Sequence, residues 1–220
     1  RTAVGCAAVQ PTVDELVIAD DPDAWRAVGF DVDGDRCDVG AVRLRLAGRG
    51  DRRGIVAWSV RGASATELDG LTTESSDRLA ARGEPHPNGV VRIDHLVVMT
   101  PDLDRTAGVL RGAGLDFRRL REGDTSGGST RQAFFRMGEV ILELVEAPAG
   151  TKVRADPSGP ARLWGLAFLV EDMDATGEAL GDLLGAPRDA VQPGRRIATL
   201  RSEAGLGPAI AFMTPGAGAA

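Results

Sequence analysis

The stretch that most constrains this chain is residues 92–146. It opens Arg92-Ile93-Asp94-His95-Leu96-Val97-Val98-Met99 and closes Val140-Ile141-Leu142-Glu143-Leu144-Val145-Glu146. The first run alternates with period two, as a strand covered on one face does. Alternation sets Asp94, Leu96 and Val98 on one side and Ile93, His95, Val97 and Met99 on the other. Thr100-Pro101 reads as a helix entry with Thr100 as cap. Leu103, Ala107 and Leu110 then recur at helical spacing until Gly112 and Gly114. Leu115 to Arg119, Thr130 to Met137 and Glu139 to Glu146 are strands, and the Gly/Ser/Asp stretch 122–129 is a mobile loop at the rim. One βαβββ unit therefore carries a histidine and a carboxylate in the middle of two apolar strands.

The rest of the chain repeats this unit in part. Val13-Asp14-Glu15-Leu16-Val17-Ile18 is a strand, Asp21-Pro22-Asp23 starts a short helix before Gly29, and Val39 to Leu46 is a single strand. Ile55 to Val60 is another strand. Ser64-Ala65-Thr66-Glu67 has capping-box spacing and predicts a helix to about Leu71. Thr72 to Gly89 is polar, is broken by Gly83, Pro85, Pro87 and Gly89, and reads as a linker. After the connection Pro148 to Pro160, Leu163 to Val170 is a strand. Asp172 caps a helix with Met173, Thr176, Leu180 and Leu183 inside, strands follow at 195–201 and 208–213, and 216–220 is a frayed tail. Ile93 to Val98 matches Val13 to Ile18, and Asp102-Leu103-Asp104 matches Asp172-Met173-Asp174. Such a unit cannot bury its sheet face alone, so copies must pair. The cut near residue 90 separates a shortened N-terminal half with its linker, 1–90, from a complete two-unit half, 91–220.

Composition narrows the function classes. A net charge of -6 with both signs interspersed argues against a nucleic-acid partner, and no apolar run is long enough to span a bilayer. Ala3 to Val9 is too short for the apolar core of a secretory signal, so the chain is expected in the cytoplasm. Cys6 and Cys37 fit no metal spacing and read as free thiols. Gly123 to Gly128 has neither the lysine nor the strand-to-helix setting of a phosphate loop. Gly-x-Ser-x-Gly and His-Glu-x-x-His are both absent, which removes the common hydrolase chemistries.

A repeated βαβββ unit that opens Ile-Asp-His-Leu-Val-Val and closes Val-Ile-Leu-Glu-Leu resembles the vicinal oxygen chelate superfamily, the glyoxalase, bleomycin-resistance and extradiol dioxygenase fold. The resemblance implies an α+β protein whose βαβββ modules pair into an open eight-stranded barrel over 92–214, preceded by a shortened pair of αβ modules. It also implies a divalent metal held by the first and last strands of each unit. His95 and Glu143 fall on those positions in the third unit. Gly165 and Phe212 hold them in the fourth, and Glu15 and Arg45 in the first, where an arginine would repel a cation.

Half of a metal site is thus present and half is missing. Zinc or iron wants three or four protein ligands, and the other histidine, His86, lies in the Pro85-His86-Pro87 linker as a solvated residue. His95 and Glu143 are the candidate catalytic pair, and Gln132, Phe134, Thr199 and Phe212 are candidate ligand contacts by alternation. The reading is a glyoxalase-like protein, monomer or homodimer, that binds a small molecule in its barrel with no cofactor and no complete metal site. Its alternatives are a metal-dependent lyase or dioxygenase with the ion on His95 and Glu143, and a non-catalytic structural or drug-sequestering protein. Catalysis itself is left open.

Overall fold

The computed structural model describes residues 10–63, 65–125 and 128–216. The first half builds a six-stranded sheet from β1 (Thr12–Ile18), β2 (Arg36–Val39), β3 (Val42–Leu46), β4 (Ile55–Arg61), β5 (Glu67–Leu68) and β6 (Leu71–Ser76), with helix α1 (Pro22–Ala27) after β1. The second half opens with β7 (Val90–Thr100), helix α2 (Leu103–Gly112), β8 (Asp116–Thr125), β9 (Gly128–Met137) and β10 (Val140–Glu146). It continues with β11 (Arg162–Val170), helix α3 (Met173–Leu180), β12 (Arg188–Asp189), β13 (Arg196–Thr199) and β14 (Ala209–Met213).

Both sheets follow one plan. In the second, the first strands of its two modules, β7 and β11, pair antiparallel at the centre. The last strands, β10 and β14, lie parallel outside them, in the order β12-β13-β14-β11-β7-β10-β9-β8. In the first sheet β1 and β4 pair antiparallel, with β3 and β6 parallel outside, in the order β2-β3-β1-β4-β6-β5. The eight-stranded sheet curls without closing: β8 and β12 are its unpaired edges, and residues of both line one cavity. This is the open barrel expected from the repeated βαβββ pattern, with a shortened copy before it.

The helices close one face of the sheet. Leu103, Thr106 and Leu110 are the buried stripe of α2, which packs on β9 and β10. Met173, Thr176 and Leu180 are that of α3. Burial of each large aliphatic side chain in these stripes contributes on the order of 2 kcal/mol. The Asp172 side chain accepts from the Asp174 and Ala175 N–H groups, as an N-cap should. The cap of α2 is Asp102, accepting from Arg105 N at 3.0 Å, and the Thr100 hydroxyl instead accepts from Asp102 N.

Several expectations are corrected. The helix expected over 64–71 is a hairpin of β5 and β6, with Ser64 outside the described residues, and the supposed linker begins with five residues of β6, Thr72 to Ser76. The strand expected over 39–46 is interrupted at Gly40-Ala41, where Gly40 has φ +57°. The rim loop 122–129 is largely strand, since β8 runs to Thr125 and β9 starts at Gly128; Ser126 and Gly127 lie outside the described residues. Cys6 and residues 217–220 lie outside them too. His86 is buried rather than solvated. Its Nδ1 accepts from Asp31 N at 3.0 Å, and its Nε2 is 3.9 Å from Cys37 Sγ. Burial pushes the Cys37 thiol up to about 12 and the His86 imidazole below its usual range, so this pair is a protonated thiol beside a neutral ring, not a nucleophile.

Candidate functional site

A break in strand alternation builds the site. Across the β7–β11 pair Ile93 faces Phe168 and His95 faces Ala167, so Asp94 is an extra residue on β7. Such a bulge turns two successive side chains to one side, and Asp94 and His95 both face the cavity. The expectation that they lie on opposite faces is therefore corrected. Val13 faces Val60 and Glu15 faces Ser59 in the first sheet, so Asp14 makes the same bulge there.

The bulge assembles a polar chain. Asp94 Oδ2 lies 3.0 Å from His95 Nδ1, and His95 Nε2 lies 3.3 Å from Glu143 Oε2. Gln132 Nε2 donates to Glu143 Oε1 at 2.7 Å. At the other end Arg195 Nη2 donates to Asp94 Oδ1 at 2.6 Å, and its Nε donates to the Thr214 carbonyl at 2.7 Å. Burial alone would raise the Asp94 pKa, but hydrogen bonds from His95 and Arg195 outweigh it and hold the carboxyl at about 2. Glu143 moves the other way. Burial raises its pKa, and the charges of His95 and Arg121 offset that only in part. Asp94 and Glu143 thus flank one imidazole with pKa values shifted in opposite directions, a separation of the kind that acid–base work uses.

These groups sit in a cavity of about 880 Å³, large enough for a small organic molecule. Phe134, Ile141, Ile197 and Met213 supply its apolar wall. Of the sequence candidates, His95, Glu143, Gln132 and Phe134 all line it. Thr199 and Phe212 do not. Phe212 is fully buried on the opposite face, where it pairs with Phe168 at 6.1 Å between ring centroids. Thr199 is exposed at the end of β13, outside the lining. Asp94, Arg195 and the arginines Arg118, Arg119, Arg121 and Arg188 line the cavity and were missed. The available signal was the Asp that stands beside the ligand position in both copies, Asp14-Glu15 and Asp94-His95.

The donor set does not fit a resident divalent ion. Two cavity-facing rows cross the centre of the sheet, Ala211-Ala167-His95-Ile141 and Ala209-Gly165-Val97-Glu143. The fourth module therefore presents only methyl groups and a glycine towards His95 and Glu143. Gly165 leaves no space for a side chain, since a Cβ there would meet the Ala209 carbonyl oxygen at 2.6 Å. Among the described residues no group of three or more His, Cys, Asp or Glu could hold a metal. With Asp94 taken up by His95 Nδ1 and Arg195, the two donors His95 and Glu143 fall short of the three or four that zinc or iron needs.

In the first sheet the equivalent positions neutralise each other. Arg45 Nε is 3.2 Å from Glu15 Oε1. Arg61 donates to Asp14 at 2.5 Å, and Arg78 reaches Asp14 at 2.8 Å and Glu15 at 3.0 Å. Ion pairs occupy the place where the second sheet keeps its cavity.

Several known structures are similar to this chain. A triple mutant of 4-hydroxymandelate synthase from Streptomyces coelicolor aligns over 94% of this chain and 92% of its own, with a TM-score of 0.63 at 17% identity. Methylmalonyl-CoA epimerase from Mycobacterium tuberculosis covers 59% of this chain and 91% of its own, with a TM-score of 0.48 at 19% identity. A variant of the Streptomyces coelicolor epimerase in complex with 2-nitronate-propionyl-CoA covers 58% and 99%, with a TM-score of 0.46 at 26% identity. No curated protein matches the sequence significantly. No helix among the described residues is long and apolar enough to cross a membrane. The model of the Glyoxalase/Bleomycin resistance protein/Dioxygenase superfamily matches residues 92–202, just over half of the 220 residues, and the chain belongs to that superfamily.

Proposed function

We propose that the cavity of the eight-stranded sheet binds a small organic molecule without a resident metal, and that Glu143 and His95 are its polar recognition pair. One observation carries the reading: Ala211, Ala167 and Gly165 stand where a metal site would need its opposing donors. The test is metal analysis of protein purified without chelator. Less than a tenth of an equivalent of Zn, Fe, Ni or Mn is expected. Near-stoichiometric metal, lost together in His95→Ala and Glu143→Ala, would overturn the proposal in favour of a metal-dependent lyase or dioxygenase. Turnover of methylglyoxal–thiol adducts or catechols only on adding metal would do the same.

The raised pKa of Glu143 favours a second reading, in which the carboxyl exchanges a proton with the bound molecule. His95 fits such a role, because Asp94, kept charged by Arg195, orients the ring through Nδ1 and leaves Nε2 facing Glu143. Deuterium exchange from solvent into a bound ligand, abolished by Glu143→Gln, is the expected sign. Binding with no exchange leaves recognition as the whole function.

A further inference from the structure

The charges around the cavity do not balance. Asp94 is committed to Arg195 and His95, and Glu143 to His95 and Gln132. Against these, Arg119 and Arg121 on β8 and Arg188 on β12 line the cavity without an ion pair to any described carboxylate. Arg119 lies over the Phe134 ring, 4.7 Å from its centroid, which leaves its guanidinium edge free to donate. Other arginines, such as Arg61, Arg78, Arg105 and Arg131, are held in ion pairs. These three cations stand on the two facing edges of the open barrel, around an apolar interior.

From this geometry we infer that the ligand is a small organic anion, a carboxylate carried on an apolar or aromatic body, gripped by Arg121 and Arg188 across the open seam. The inference rests on the proposed binding role of the cavity and adds the ligand's charge and shape. A planar guanidinium fork meets a carboxylate with two parallel hydrogen bonds, a match that a point charge does not give. The volume of about 880 Å³ is far more than a bare inorganic anion fills, and Phe134, Ile141, Val191, Ile197 and Met213 give the remainder an apolar setting. Carboxylate is preferred over phosphate because the lining comes from strands and the turn at 190–193, with no helix N-terminus among the described residues that line the cavity. In the first sheet the equivalent centre is filled by the chain's own ion pairs, carboxylates of Asp14 and Glu15 on Arg61, Arg78 and Arg45. There the fold already sets a carboxylate against arginine at this level of the sheet.

The test is calorimetric titration of the full chain with four probes of one shape: phenylpropanoate, its amide, the corresponding amine and phenyl phosphate. The carboxylate is expected to bind at least tenfold more tightly than the amide and the amine, and more tightly than the phosphate. Arg121→Gln and Arg188→Gln should each weaken it by at least tenfold while leaving amide binding within about twofold. Their side chains are exposed, so thermal denaturation should show both variants folded as wild type. Raising the salt concentration should weaken the carboxylate selectively. Equal or tighter binding of amide or amine, tighter binding of phenyl phosphate, or carboxylate binding unchanged in both variants would each overturn the inference and leave the binding role standing. Silence from every probe at millimolar concentration would count against both, and stoichiometric metal would remove the binding role on its own.

Discussion

Asp94 and Glu143 flank the same imidazole and respond in opposite directions, so acid titration separates them. The folded Asp94 carboxyl sits at about 2, below its unfolded value. Its contribution is present above the ordinary carboxylate range and is lost as the pH falls from about 4 towards 2, a loss of about 2 kcal/mol. Asp94→Asn should remove that acid dependence, which urea unfolding at a series of pH values would show. Glu143 has a folded pKa above its unfolded one, so it lowers stability as the pH rises through the carboxylate range. Glu143→Gln keeps shape and keeps an acceptor for Gln132. It should stay within about 1 kcal/mol of wild type at neutral pH, gain on it as the pH rises from about 4, and lose ligand binding; a loss of about 3 kcal/mol with binding intact would make the pair structural. His86 titrates in another window. Its folded pKa is lowered by burial, so stability is full above about pH 6.5 and falls below it, when the unfolded chain takes up the proton that the buried ring refuses. His86→Phe should cost about 1–2 kcal/mol at pH 7, through the lost bond to Asp31 N, and flatten the profile below about pH 6.5. Alternation made His95, Glu143, Gln132 and Phe134 legible in the sequence. Asp94 was not, because a bulge shifts the period by one residue and leaves no mark in a polar–apolar pattern.

The clearest misreading at the level of elements was the helix over 64–71, and two competing local signals account for it. Ser64 and Glu67 have the spacing of a capping box, but Asp69-Gly70 between Leu68 and Leu71 is a two-residue hairpin signal, and both central residues adopt positive φ, +56° and +92°. The hairpin wins because tertiary contacts reward it. Asp69 accepts from Arg105 Nε at 2.9 Å and also from the Thr106 hydroxyl, and its carbonyl takes the Ala161 N–H at 2.7 Å. The turn thus fastens the first sheet to α2 and to the start of β11. A methyl group on Gly70 would also meet Pro160 Cβ at 2.1 Å. Gly70→Ala should therefore lower the unfolding free energy by more than about 1 kcal/mol, from φ strain and clash together, measurable by chemical denaturation. A neutral outcome would show that the turn is free to move off α2. Helices α2 and α3 were legible to within a few residues from their apolar spacing, although only α3 has the cap read for it, Asp172, while α2 is capped by Asp102 and not Thr100.

At the scale of the whole chain the repeat was legible, but the way its halves meet was not, because that depends on faces whose partners lie far off in sequence. Linker composition placed a cut near residue 90, yet the buried cluster runs through both sheets without a break. Trp25 and Phe30 from the first half pack on Phe168 of β11 at 6.2 and 5.1 Å, and Phe168 in turn packs on Phe212. Polar ties cross the same boundary. Asp20 accepts from Gly207 N at 2.8 Å, Glu139 accepts from Ala41 N at 2.7 Å, and the Thr176 hydroxyl donates to the Asn88 carbonyl. Separating the halves would expose Phe168, one of the largest fully buried side chains, at a cost on the order of 2 kcal/mol for that residue alone. It would also strip the half-buried Gly207 N of its acceptor and the buried Thr176 hydroxyl of the Asn88 carbonyl. The full chain should therefore unfold in one cooperative transition, with near-UV dichroism from the tryptophans and far-UV dichroism from the sheets coinciding. A fragment spanning 90–216 should melt at least 10 °C lower or aggregate, and Phe168→Ala in the full chain should destabilise both sheets together by about 3–5 kcal/mol. Two separate transitions, with the fragment as stable as the intact chain, would instead make the halves independent domains joined at residue 90 and return the shared aromatic cluster to a surface contact.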